Sequence, residues 1–244
     1  RRLVDYKRGD YTGDDLGGPS DPINFVHSSI ALVGDNSFFG FTSPVRGSRY
    51  RLELETTAGN LNYSSILLDY RRYFNPVREL TFAFRGLHYG RYRAGMEDTN
   101  SFLQPFYIGR GSLVRGYSYN SFDPRECSSQ TCPERERLYG QRIGVASAEV
   151  RVPLLGVDRM GLINLDFLPT ELVLFTDAGI AWNADNPPVW EFERSSAERI
   201  PVFSSGASAR LNVLGFIVVE VYYAIPWQRP SKGGHFGFQL QPGW

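Results

Sequence analysis

The chain has 244 residues with 26 basic and 26 acidic side chains, room for one large or two small domains and no basic excess of the kind a nucleic-acid partner requires. Its 25 glycines, 14% aromatic content and only 2 methionines favour strands over helices. No run of about 18 apolar residues occurs, so no helix would cross a membrane, although a spanning β-strand needs only ~10 residues of alternating character.

Residues 1–22 are polar and rich in Gly and Pro, which reads as a loop or linker. From residue 23 to 244 the dominant period is two. In RYRLELET, Arg49, Arg51, Glu53 and Glu55 alternate with Tyr50, Leu52 and Leu54, so one face of a strand is charged and the other apolar. Leu80, Phe82 and Phe84 repeat the pattern, as do Ala146, Ala148, Val150 and Val152. Further on, Ala207, Ala209, Leu211 and Val213 form one apolar row, and Ile217, Val219, Val221 and Tyr223 another opposite Glu220. The last row is Phe236, Phe238 and Leu240. With weaker runs at 24–35, 62–74 and 171–182, about nine strands are expected and no amphipathic helix.

Short connections such as Ala58-Gly59-Asn60, Asn75–Arg78 and Val213-Leu214-Gly215 suit antiparallel hairpins. Two connections are long, roughly 93–142 and 183–201, and long loops without periodicity are commonly functional. Alternating strands alone leave two architectures open: a soluble sandwich or barrel that buries the apolar rows, or a membrane barrel that turns them to lipid. The charges at Glu149, Arg151, Arg210 and Glu220 lie mid-strand on the polar rows. Tyr89, Tyr92, Trp182, Tyr222 and Trp227 fall near strand ends in the manner of an interfacial girdle. Together with short turns alternating with long loops, these features favour the membrane barrel.

The chain closes on FGFQLQPGW, where Phe236, Phe238 and Leu240 share a parity and Trp244 is terminal. This resembles the C-terminal assembly signal of bacterial outer-membrane barrels, with Pro242 as a departure from it. The long loop carries Val114-Arg115-Gly116-Tyr117 after PFYIGRGSL; the next strand carries Ser147-x-Glu149, and the one after it Asp177-x-Gly179 followed by Trp182. In that order these motifs resemble the BamA/TamA family of bacterial surface antigens over most of residues 24–244. The resemblance implies an all-β, antiparallel transmembrane barrel, here the C-terminal part of a sixteen-stranded one, at the bacterial outer membrane. It also implies that the loop at about 93–142 folds back into the lumen with Val114–Tyr117 at its tip.

Strand parity turns Glu149 and Asp177 toward the lumen as well. Two neighbouring carboxylates repel unless a cation lies between them, and a guanidinium can bridge both. Arg115 is therefore expected to act as a latch, with Gly116 allowing close approach to the wall and Tyr117 packing beside it. Since the cell envelope is oxidising, Cys127 and Cys132 are expected to form a small disulfide loop; two cysteines are too few for a structural zinc site. No phosphate-binding glycine loop or nucleophile motif occurs, so neither enzymatic activity, a metal nor a cofactor is expected. Expected partners are outer-membrane lipid, the barrel-assembly machinery and substrate polypeptides, without nucleic acid. The family implies insertion or translocation of proteins. An anchor or passive pore for an upstream domain is the alternative, and a soluble ligand-binding barrel ranks third.

Overall fold

The computed structural model describes residues 24–59, 62–92, 103–129, 132–156, 161–165, 168–194, 196–229 and 233–242. The expectations for residues 1–22, for 93–102 of the long loop and for Trp244 lie outside these residues.

Nine long strands follow one another through a single sheet: β1 (Phe25–Asp35), β2 (Pro44–Gly59), β3 (Tyr63–Val77), β4 (Leu80–Tyr92), β5 (Arg142–Gly156), β6 (Thr170–Trp182), β7 (Val202–Val213), β8 (Ile217–Pro226) and β9 (His235–Pro242). Each pairs antiparallel with its sequence neighbour. Among the described residues the sheet is open, with β1 and β9 as its edges, so the architecture is a partial barrel. Among the described residues, four two-residue strands complete the set. Phe38–Phe39 folds back on β2, and Ile163–Asn164 runs parallel to the end of β5. Phe106–Tyr107 and Tyr139–Gly140 pair to close the neck of the long loop.

One end of the sheet has compact turns. At the β7–β8 turn, Leu214 and Gly215 both take positive φ, 54° and 78°, the left-handed pair that tight hairpins require. The other end carries the loops between β4 and β5, between β6 and β7, and between β8 and β9.

Alternation sets the two faces as the periodicity predicts. Leu52, Leu54, Leu68, Phe84, Leu174, Val221, Phe236, Phe238 and Leu240 are exposed on the outer face. Glu149, Arg151, Glu171, Asp177, Arg210 and Glu220 are buried on the inner one. This inverts a water-soluble protein: an apolar outer band and a polar interior match a sheet solvated by lipid. The interior also holds an apolar cluster made jointly by loop and wall. Ile108, Val114, Tyr117 and Leu138 of the loop pack on Ile143, Val145, Ala181 and Val202.

Two members of the expected girdle do not belong to it. Tyr222 is buried inside, edge-on to Phe175 at 6.4 Å, and Tyr89 packs inward on Phe106 at 4.5 Å. Both fall on the polar parity of their strands, and parity overrides nearness to a strand end. On the outer face His88 stacks on Trp182 at 5.6 Å and is hydrogen-bonded to Tyr92 at 2.7 Å.

Candidate functional site

The long loop enters the lumen and places Arg115 against three strands at once. Its Nε and Nη2 donate to the two oxygens of Asp177 on β6 at 2.8 and 2.9 Å. Nη2 also donates to Glu149 on β5 at 3.0 Å, and Nη1 to Glu220 on β8 at 3.0 Å. The backbone N–H of Arg115 donates to Asp177 at 3.2 Å, and the guanidinium lies 3.5 Å from the centre of the Phe175 ring. With 4% of its surface exposed, Arg115 is a fully desolvated cation that directs donors to three carboxylates and stacks on an aromatic face, uses that suit arginine and not lysine. Burial alone would push its pKa down. Asp177, Glu149 and Glu220 outweigh that and hold it above the ordinary arginine value.

The sequence explains this local geometry. Gly116 has φ of 89°, a left-handed conformation, and a Cβ there would lie 3.2 Å from that of Ala224. Gly179 leaves the space that the Val114 side chain occupies, since a Cβ would overlap it. Tyr117 lies with its hydroxyl 2.9 Å from the Phe203 carbonyl and 3.1 Å from Gln228 Oε1, and accepts the Gln228 N–H at 3.2 Å. Burial pushes its pKa up to about 12.

Glu149 and Asp177 are brought to one guanidinium, but not as a directly opposed pair. In the register Asp177 faces Ser147, and Glu149 faces Phe175. They are diagonal neighbours two residues apart, still within reach of one long side chain.

The clasp is larger than those two carboxylates. Arg210 reaches Glu149 at 2.8 Å, Glu220 at 3.3 Å and Glu171 at 3.8 Å. Arg151 grips Glu149 at 2.7 Å and donates to Ser43 Oγ and the Pro44 carbonyl at 3.0 and 3.1 Å. Ser43 in turn donates to Glu171 at 2.7 Å, so the β1–β2 turn joins the network from the compact-turn end. Ser208 and Gln239 each donate to Glu220 at 2.7 Å. Three guanidiniums thus meet four carboxylates, leaving one negative charge in excess. A cavity of about 50 Å³ lies beside them.

At the loop end a second set of contacts holds the tip. Arg229, three residues beyond β8, pairs with Glu126 through two contacts of 2.8 Å and donates to the Gly116 carbonyl at 2.7 Å and the Ser121 carbonyl at 2.7 Å. Arg137 donates to the Gln228 carbonyl at 3.0 Å, its pKa lowered by burial. Arg199 reaches the Glu136 and Tyr139 carbonyls at 2.7 and 2.6 Å. Cys127 and Cys132 are joined in a disulfide, next to the four-residue helix α1 (Pro133–Glu136). Phe236, Phe238 and Leu240 project from the outer face of the edge strand, far more exposed than the Glu220 and Tyr222 of its neighbour.

Glu220, Arg151 and Arg210 had a sequence signal, a charge in mid-strand on the polar row; what was not legible was their convergence on Arg115. Gln228, Arg229 and Glu126 carried no signal, for they lie in loops without periodicity.

Residues 29–243 match the Omp85 superfamily domain. The chain belongs to the Omp85 superfamily. Among solved structures, this Omp85 chain is similar to the crystal structure of BamA from Haemophilus ducreyi lacking POTRA domains 1–3, with a TM-score of 0.60 and 17% identity. The match covers 88% of this chain and 42% of that one, so the chain spans less than half the length of the protein it resembles. At that identity the likeness establishes the fold.

Proposed function

We propose that this chain is the membrane-embedded barrel portion of a machine that inserts proteins into, or moves them across, the bacterial outer membrane. The observation that carries the reading is the loop clasped inside the lumen by Arg115. The loop lies against the inner face of the sheet, where carboxylates from three strands converge on its one guanidinium, in a chain whose outer face is apolar. In this reading the chain acts as template and conduit rather than as an enzyme. Its partners are outer-membrane lipid, the barrel-assembly machinery and the substrate polypeptide.

The loop held against the inner face of these strands, with a cavity of about 50 Å³ beside the clasp, supports a gated lumen over a permanently open pore. The test reconstitutes the full-length protein in phospholipid vesicles and follows the folding of an unfolded outer-membrane barrel by its heat-dependent gel mobility. Faster client folding than in empty vesicles is expected. Client folding at the rate of empty vesicles, with no polypeptide reaching the vesicle interior, would instead favour a tether for an upstream domain.

A further inference from the structure

A cleft lies at the compact-turn rim, lined by two arginines and several aromatic rings. It measures about 570 Å³ and is lined by Arg46, Arg72, Tyr73, Phe74, Asn75, Pro76 and Phe82, with no carboxylate among them. Arg72 belongs to the outward parity of β3, with Ser48 opposite on one side and Phe84 on the other. The neighbours on that parity are apolar or aromatic: Leu68, Tyr70 and Phe74 are all exposed. Tyr50 and Tyr70 face each other across β2 and β3, one position closer to the middle of the sheet than Arg72. They mark the aromatic level at which lipid tails give way to headgroups. Arg72 therefore sits just on the headgroup side.

Its guanidinium is fixed there, 5.0 Å from the centre of the Phe74 ring, which is itself edge-on to Phe84 at 6.2 Å. The other rim arginine nearby, Arg78, already lies 3.9 Å from Glu79. The three arginines of the lumenal clasp, Arg115, Arg151 and Arg210, are matched by carboxylates. A cation on a lipid-facing wall is costly toward the bilayer centre and becomes cheap only at the headgroup level, and an arginine fork suits a phosphate through paired, charge-assisted hydrogen bonds. Two such forks with no carboxylate paired to them among the described residues, and with Tyr70 and Leu68 exposed deeper on the same face, are complementary to one chemistry.

The geometry points to this cleft as a binding site for the phosphodiester of a membrane glycerophospholipid, with Arg46 and Arg72 on the phosphate and the exposed Tyr70 and Leu68, deeper on the same face, along the first acyl carbons. The inference rests on the membrane-barrel reading above. A phospholipid held here would fix the depth of the barrel at its compact-turn end, beside the hairpin whose Ser43 closes the lumenal network.

The test uses the full-length protein in mild detergent with phosphatidylethanolamine or phosphatidylglycerol added, and counts retained lipids by native mass spectrometry. The wild type is expected to hold one more phospholipid than the Arg46→Gln/Arg72→Gln variant, whose occupancy falls about tenfold on loss of two charge-assisted contacts. Arg46→Lys/Arg72→Lys is expected to keep most of it, and Arg78→Gln all of it. Equal phospholipid counts in a doubly substituted protein that still shows folded-barrel gel mobility would overturn the site, as would retention of diacylglycerol, which lacks the phosphate. Displacement by millimolar inorganic phosphate would also overturn it, since the site would then take a free anion. A wild-type protein that fails to partition into vesicles at all would instead remove the membrane reading on which the site rests.

Discussion

Arg115 is the residue on which the interior depends. It satisfies three carboxylates from three strands, and removing one partner of a buried charge set leaves the others uncompensated, at a cost of about 3–5 kcal/mol. Arg115→Ala should raise protease cleavage within residues 103–129 while the strands still assemble, read by limited proteolysis of the membrane-inserted protein. Unchanged protection would mean that the loop is held elsewhere. Arg115→Lys should behave more like Ala than like the wild type, because a compact ammonium lacks the planar fork that grips both oxygens of Asp177 while reaching Glu149 and Glu220. Tyr117 offers a pH test. Its folded pKa, raised by burial to about 12, exceeds the roughly 10 of an unfolded tyrosine. The hydroxyl's stabilisation is therefore complete below about pH 10 and lost as pH rises through about 12. Amide-exchange protection of the loop tip should fall across that window, and the step attributable to Tyr117 should be missing in Tyr117→Phe.

At the scale of elements, the loop between β4 and β5 is a small folded unit docked at two depths. Deep in the lumen it is held by charge; at the mouth it is held by Arg229, Arg137 and Arg199 through carbonyls and Glu126. The two depths have different consequences. Arg229→Ala removes the paired cation from the buried Glu126, so it should loosen residues 116–126 and the connection between β8 and β9 together, visible as coupled loss of exchange protection in both. The Cys127–Cys132 disulfide closes a short local segment, and constraining so short a loop contributes about 2 kcal/mol or less. Cys127→Ser/Cys132→Ser should therefore increase exchange around 119–137 and leave protection at Arg115 as it was. Loss of the deep clasp in that variant would show that the two depths are one cooperative unit.

For the whole molecule, the decisive feature is the inversion of polarity: exposed leucine and phenylalanine outside, ion pairs within. An aqueous environment would leave that outer band an aggregation surface, whereas lipid solvates it. Phe238→Asp, on the outer face of the edge strand and 63% exposed, should impair membrane assembly, measured as loss of the heat-shifted folded band in the membrane fraction. Normal insertion would separate the outward parity of this strand from assembly. Phe236, Phe238 and Leu240 share that role by position, and the sequence-based prediction for removal of Trp244 is the same loss.

The sequence by itself determined which way nearly every strand residue points. A period of two is local, so Glu149, Arg151, Asp177, Arg210 and Glu220 were bound to share the inner face once Val150, Leu174 and Val221 shared the outer one. Short Gly- and Asn-containing turns also dictated that neighbours in sequence become neighbours in the sheet. Tertiary structure alone decided which charges meet. Arg115 finds Glu220 only because β8 curls round to within 3.0 Å of a loop that left the wall four strands earlier. That convergence depends on sheet curvature and on closing long loops, neither of which leaves a local trace. The same holds for Gln228 and Arg229 at the loop tip, and for Arg46 and Arg72 in one cleft. Tyr222 shows the boundary between the two kinds of information: its parity was written in the strand, and its place under the clasp came from the way the strands close around the loop.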